Sequence, residues 1–355
     1  MRFGSRRAFA MLAAPIGGSL AMCAGVVKSQ SWPSMAVPTD ATHRDDGSTE
    51  AILNYQQTGV EAVWTKRDLS GSDDALHGAD WDQRHLVVKN GRHGTKLSLE
   101  ASGFELLSDP KRQHVDYYDE ASVIGRYYSE CEELLKRVTG ASFVRAFDHN
   151  VRSDSGRAAG RKLVGGNAVQ GPASLVHGDY TADSAPRRFK LLGETPKLND
   201  PLKKILGETP LIDRPTVDGA LSGERRYAFI NVWRPIQTAK TKPLACADAA
   251  TVTADDLVVF KIVYADRVGE NYFAKWRQAH EWFYFPSMTP DEVMLIKQWD
   301  SHGELAPGGP RKAGATGSAP ERTSTFALHS AFADPNSAKD DPDRESIEVR
   351  LVLVF

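Results

Sequence analysis

Cysteine is scarce: the 355 residues hold three, Cys23, Cys131 and Cys246, and no C-x-x-C pair. That excludes a disulfide framework and a cysteine-built zinc site. Neither sign of charge dominates, since Lys plus Arg number 44 and Asp plus Glu 46, a formal net charge of −2. With no global basic field, dedicated nucleic-acid binding is excluded. Long apolar runs are missing beyond the extreme N-terminus, so the mature domain makes no stable membrane insertion. What remains is ordinary for a soluble globular chain: 41% hydrophobic and 25% charged, long enough for one large domain with a sizeable core.

Acidic residues are absent from Met1 to Pro38, which opens with Arg2, Arg6 and Arg7 and runs on as an Ala/Gly/Leu/Met-rich stretch. This is the layout of a targeting peptide. Ser5-Arg6-Arg7-Ala8-Phe9 is similar to a twin-arginine export signal. A disordered tail, a mitochondrial-type presequence and a true start at Met35 are the alternatives, so localisation stays open between export and the cytoplasm. Residues 1–46 are expected to stand apart as targeting peptide or tail, with 47–355 forming a single domain.

Within that domain the apolar patterning is mostly that of strands. Ala51–Tyr55 reads as extended, and Asn90-Gly91-Arg92 as a hairpin signal. A helix is expected from an Asp119 cap to Val138, because Val123, Ile124, Tyr127, Tyr128, Cys131, Leu134, Leu135 and Val138 recur at helical spacing. Ala141–Val151, Tyr227–Trp233, Asp256–Tyr264, Glu281–Phe285 and Ile347–Phe355 are rich in β-branched or aromatic residues. Several strands without intervening helical repeats predict a β-rich α+β fold of barrel or sandwich type. Leu192–Pro196 recurs as Leu206–Pro210 and reads as a surface insertion; Gly303–Ser324 reads as a lid or a disordered excursion.

In an extended segment, His177 and Asp179 point to the same side and Gly178 to the other. They supply two of the three ligands of a 2-His-1-carboxylate triad, the arrangement that binds non-haem Fe(II) and leaves positions open. His329 is the candidate second imidazole. Fifteen residues beyond it comes Arg344-Glu345-Ser346, whose Arg and Ser share a face. A guanidinium fork and a hydroxyl there would anchor the far carboxylate of 2-oxoglutarate. Arg350 lies on the same face as the rival anchor.

The ordered series H-x-D, distant His, then R-x-S resembles the Fe(II)/2-oxoglutarate-dependent dioxygenases. The likeness extends to Phe147–Arg152, Asn231–Ile236, His280–Pro286, Asp300-Ser301, His329–Pro335 and Arg344–Arg350, as in the family of gibberellin desaturase, aspergillic acid hydroxylase and the cephem methoxylase accessory subunit. The resemblance implies a distorted double-stranded β-helix, or jelly-roll, with an N-terminal β/α elaboration and a buttressing helix. It implies Fe(II) held by His177, Asp179 and His329, with 2-oxoglutarate held by Arg344 and Ser346. Dioxygen and a small organic substrate would be the partners, and the reaction hydroxylation or desaturation. A non-catalytic accessory subunit that binds a protein partner, or a cupin-type metalloenzyme without 2-oxoglutarate, is the alternative.

The remaining histidines and arginines read differently. His149 is expected as a hydrogen-bonded structural residue. His280, Trp282 and Tyr284 alternate and would line either a cavity or the core. Arg234 would meet a bound carboxylate or a structural partner.

Overall fold

The computed structural model describes residues 29–41, 44–67, 75–110, 115–197, 200–264, 268–307 and 323–355. The export-like Ser5–Phe9 motif, and most of the loop ending at Ser324, lie outside the described residues. The strands are β1 (Ser29–Gln30), β2 (Thr49–Gln56), β3 (Ala62–Lys66), β4 (Leu76–His77), β5 (Trp81–Asn90), β6 (Phe104–Ser108), β7 (Phe143–Arg152), β8 (His177–Gly178), β9 (Tyr227–Pro235), β10 (Leu244–Ala247), β11 (Leu257–Val263), β12 (Val268–Ala274), β13 (Trp282–Tyr284), β14 (Glu292–Asp300), β15 (His329–Ala331) and β16 (Ser346–Val354).

They form two sheets. An eleven-stranded one runs β1-β4-β3-β11-β12-β8-β15-β10-β13-β5-β2, and a five-stranded one β6-β14-β9-β16-β7. The larger sheet curls back on itself: Gln56 bridges Lys275, and the Val176 N–H donates to the Asn54 carbonyl. This strand-rich architecture is consistent with a jelly-roll.

β16 shows why the smaller sheet has two different faces. Ile347, Val349, Leu351 and Leu353 alternate into the core beneath the helix, which leaves Ser346, Glu348, Arg350, Val352 and Val354 on the opposite face. On the neighbouring strand a β-bulge at Phe147 inserts one residue into the pairing, between Arg350↔Asp148 and Leu351↔Ala146. Side-chain parity therefore flips along β7. Val144 and Ala146 lie in the core under the helix before the bulge, and Val151 lies there after it, so Asp148, Asn150 and Arg152 turn inward.

The expected helix is present and starts as predicted. The Asp119 carboxylate accepts from the N–H groups of Ala121 and Ser122, and the helix ends at Gly140, whose φ of 69° is the left-handed cap that glycine adopts at least cost. Between Glu120–Ser122 and Tyr128–Thr139 lies a π-helical turn, Val123–Tyr127. Its extra residue lets two successive tyrosines reach the sheet. Tyr127 Oη accepts from Arg234 Nε at 2.9 Å, and Tyr128 Oη bonds His149 Nδ1 at 2.8 Å. His149 is thus structural, as expected. Arg234 is structural too: it is buried, and ties the helix to Asp109 through both the backbone carbonyl and an ion pair of 2.5 Å.

Three sequence expectations need restating. Asn90-Gly91-Arg92 is a turn, but the strand after it, β6, belongs to the other sheet, so no hairpin forms there. Gly91 is needed because Phe285 would lie 2.6 Å from a Cβ at that position. His280 precedes β13 rather than sharing its face. It stacks on Tyr55 and bonds Asp256, while the Trp282 indole donates to Tyr55 Oη and the Tyr284 hydroxyl to the Gly47 carbonyl, so these three are core. Residues 29–41, grouped by sequence with the tail, lie against the domain. Trp81 donates to the Ser31 carbonyl, Ser174 to that of Pro33, and Trp32 packs edge-on to Phe260.

Candidate functional site

β8 is only two residues long, yet it is paired on both sides: His177 is the register partner of Phe273 on β12 and of His329 on β15. Directly opposed residues of an antiparallel pair project from the same face, so the two imidazoles meet with ring centroids 4.2 Å apart. Each ring is oriented through its own backbone. His177 Nδ1 lies 2.9 Å from the Leu175 carbonyl and His329 Nδ1 3.2 Å from that of Ala327. A carbonyl only accepts, so Nδ1 carries the proton and Nε2 is left as a lone-pair donor.

Asp179 follows where the chain leaves the ladder, its N–H donating to Gln298 Oε1 at 3.3 Å. Asp179 Oδ1 lies 3.8 Å from His177 Nε2, and the ligand atoms of His177, Asp179 and His329 all lie within 4.8 Å of one another. The other oxygen, Oδ2, accepts from Asn231 Nδ2 at 3.0 Å and has Arg350 Nε at 3.9 Å. One carboxylate oxygen is therefore held by the protein while the other faces the imidazoles.

The electrostatics suit a cation at this point. Burial, with His329 beside it, drives the His177 imidazole down to about 3, so it stands neutral. Burial pushes the Asp179 carboxyl up, but Arg350 and the two histidines outweigh it and hold it at about 2. Two imidazole nitrogens and one carboxylate oxygen are the donor set that suits Fe(II).

Arg344 precedes β16 and is 1% exposed. Its Nη1 donates to the Lys242 carbonyl at 2.7 Å, its guanidinium lies over the Trp233 ring, and its Nε has no partner. Among the described residues no carboxylate lies within ion-pair distance of it. Burial, and then the nearby Arg152, pull this guanidinium down to about 9. An unpaired cation in a dry site, with an orphaned donor, is a place for an incoming carboxylate. Ser346, also buried, lies two residues along on the same face.

Arg350, the rival anchor, is already committed. It bonds Asp148 at 2.8 Å and pairs with Glu348 at 3.1 Å, besides standing beside Asp179. Asn231, Gln298 and Arg152 were not singled out from the sequence. Asn231 and Arg152 do fall inside the two segments, Asn231–Ile236 and Phe147–Arg152, that carried the resemblance.

A family model described as "Oxidoreductase/YMDC permease-like domain" matches residues 44–206 and 211–355. The chain is 29% identical over 319 residues to alpha-ketoglutarate-dependent dioxygenase phiK of a fungal species, covering 88% of this chain and 98% of that protein. It is 29% identical over 298 residues to hydroxylase/desaturase efuI of Hormonema carpetanum, covering 78% and 84%. Among solved structures it is similar in fold to the iron and alpha-ketoglutarate-dependent endoperoxidase NvfI, with a TM-score of 0.61, 22% identity, and 86% of this chain and 97% of that one covered.

Proposed function

The chain belongs to the oxidoreductase/YMDC permease-like domain family, and from the geometry of the site we infer the roles of its residues. The protein is an Fe(II)/2-oxoglutarate-dependent oxygenase of the hydroxylase/desaturase kind. Its substrates are dioxygen and a small organic molecule. We read the fold as a distorted double-stranded β-helix, elaborated at the N-terminus by β1–β6 and buttressed by the Glu120–Thr139 helical segment.

His177, Asp179 and His329 hold the iron, and Arg344 with Ser346 holds the distal carboxylate of 2-oxoglutarate. The observation that carries this reading is a His-Asp-His donor set, tied to β9 of the other sheet through Asn231, together with a buried arginine at the start of β16 that lacks an anion. When bound, iron and 2-oxoglutarate supply the oxidising chemistry, coupling formation of succinate and carbon dioxide to attack on a C–H bond.

The protein's share is positional. The Leu175 and Ala327 carbonyls fix which nitrogen of each imidazole points to the metal. Asn231 holds Asp179 Oδ2, so that Oδ1 remains for the metal. Cys246 is the register partner of His329 and continues its row into a buried apolar cluster with Phe283, Trp233, Met294 and Ile296, which keeps water from that side.

Succinate release from 2-oxoglutarate by the iron-loaded protein tests the reading. It should require Fe(II) and fall to background in His177→Ala/Asp179→Ala. Equal succinate from that variant would remove the site assignment.

A further inference from the structure

A second arginine, half-buried, stands beside Ser346 without an assigned task. Arg152 ends β7 and is the register partner of Ser346 on β16. The bulge at Phe147 is what turns it inward: without the extra residue it would lie on the helix side with Val144 and Ala146. Its one hydrogen bond among the described residues runs from Nη1 to the Gly171 carbonyl at 2.9 Å, and no described carboxylate lies within ion-pair distance of it. The nearest acidic groups are occupied elsewhere: Arg350 takes Glu348 and Asp148, and Asp179 is bound to Asn231.

Arg152 and Arg344 thus share one arrangement. Each is anchored by a neutral backbone carbonyl, each lacks an anion, and they flank Ser346. Two such guanidinium groups repel one another in a low-dielectric site until a carboxylate lies between them. Position favours the far carboxylate. Arg350 stands 3.9 Å from Asp179 at the metal end of β16, whereas Arg152 lies opposite Ser346, four residues along the strand, where it feels the Asp179 charge without pairing with it.

Resting on the function proposed above, we propose that Arg152 and Arg344 form a two-guanidinium clamp on the distal carboxylate of 2-oxoglutarate, with Arg152 positioned for it by the β7 bulge. The clamp makes the site selective for 2-oxo dicarboxylates over 2-oxo monocarboxylates.

The test is calorimetric binding to the Mn(II)-loaded full chain without oxygen. The ligands are 2-oxoglutarate and 2-oxobutyrate, which lacks the distal carboxylate, and the proteins are wild type, Arg152→Gln and Arg152→Lys. Arg152→Gln should weaken 2-oxoglutarate by about 10- to 100-fold, the worth of one charge-assisted pair, and leave 2-oxobutyrate unchanged. Arg152→Lys should recover part of the loss, since it restores charge without the planar fork. Unchanged 2-oxoglutarate affinity in Arg152→Gln overturns the clamp, as do equal losses for both ligands. If Arg152→Gln lacks a cooperative melt, Arg152→Lys alone decides: a selective loss of 2-oxoglutarate supports the clamp and no selective loss overturns it. Wild-type protein that binds neither ligand contradicts the proposed function itself.

Discussion

His177 and His329 are direct register partners on adjacent antiparallel strands, although a large part of the chain lies between them, and their imidazoles sit 4.2 Å apart. Each is aimed by a carbonyl two residues earlier, in the segment that leads into its strand. The placement of the two imidazoles is therefore built into β pairing, whereas Asp179 depends on side-chain partners for its orientation.

Asn231 is the first of those partners. Asn231→Leu removes the donor to Asp179 Oδ2 and frees the carboxylate to rotate. Metal affinity should fall about 10- to 100-fold, the range typical when such an orienting partner is lost, with the fold retained. Titration with Mn(II), alongside a thermal melt, separates the two effects.

Arg344 carries a cost in the absence of its ligand, being a buried cation with no counter-charge. Arg344→Met should leave the ligand-free protein as stable as wild type or more stable, by up to about 1–4 kcal/mol, because an apolar chain of similar length replaces an uncompensated charge. The same substitution should abolish stabilisation by 2-oxoglutarate. Paired urea titrations with and without 2-oxoglutarate check both halves; marked destabilisation of the ligand-free variant would show that the guanidinium has a structural task.

Asp300 gives the pH dependence of stability a definite sign. It is fully buried, paired with Lys297 at 2.9 Å and with Arg226 at 2.5 Å. Burial pushes its carboxyl up, but Lys297 and Arg226 outweigh this and hold it below the ordinary 3.8. The unfolded chain therefore takes up the proton first as pH falls. The stabilisation is full above about pH 4 and is lost as pH drops through the depressed folded value. Asp300→Asn leaves the Lys297 charge without its nearest partner and should cost about 3–5 kcal/mol at pH 7. That gap should narrow below pH 4, as measured by denaturant unfolding across pH.

The residues legible in the sequence were those whose geometry depends on local alternation. His177 with Asp179, and Arg344 with Ser346, each share a face because a strand repeats every two residues. The Asp119 cap and the apolar helical spacing are local as well. Arg152 was not legible as a site residue because its direction depends on the Phe147 bulge, and a bulge is a property of the pairing with β16 rather than of β7 alone. Asn231 lies in a β9 segment whose apolar neighbours gave no sign that it faced a carboxylate. The missing hairpin at Gly91 has the same origin, since a turn signal does not say which sheet receives the next strand. The π turn at Val123–Tyr127 likewise answers to Arg234 and His149, which lie outside the helix.

The most direct measurement is an anaerobic titration of the purified full chain with Fe(II) and then 2-oxoglutarate, followed in the visible spectrum, with His329→Ala as the control. Wild type should develop the charge-transfer band of an iron-chelated 2-oxo acid, saturating with 2-oxoglutarate, and His329→Ala should not. Failure of wild type to show the band, or an equal band in His329→Ala, would contradict the assignment of this site to iron and 2-oxoglutarate.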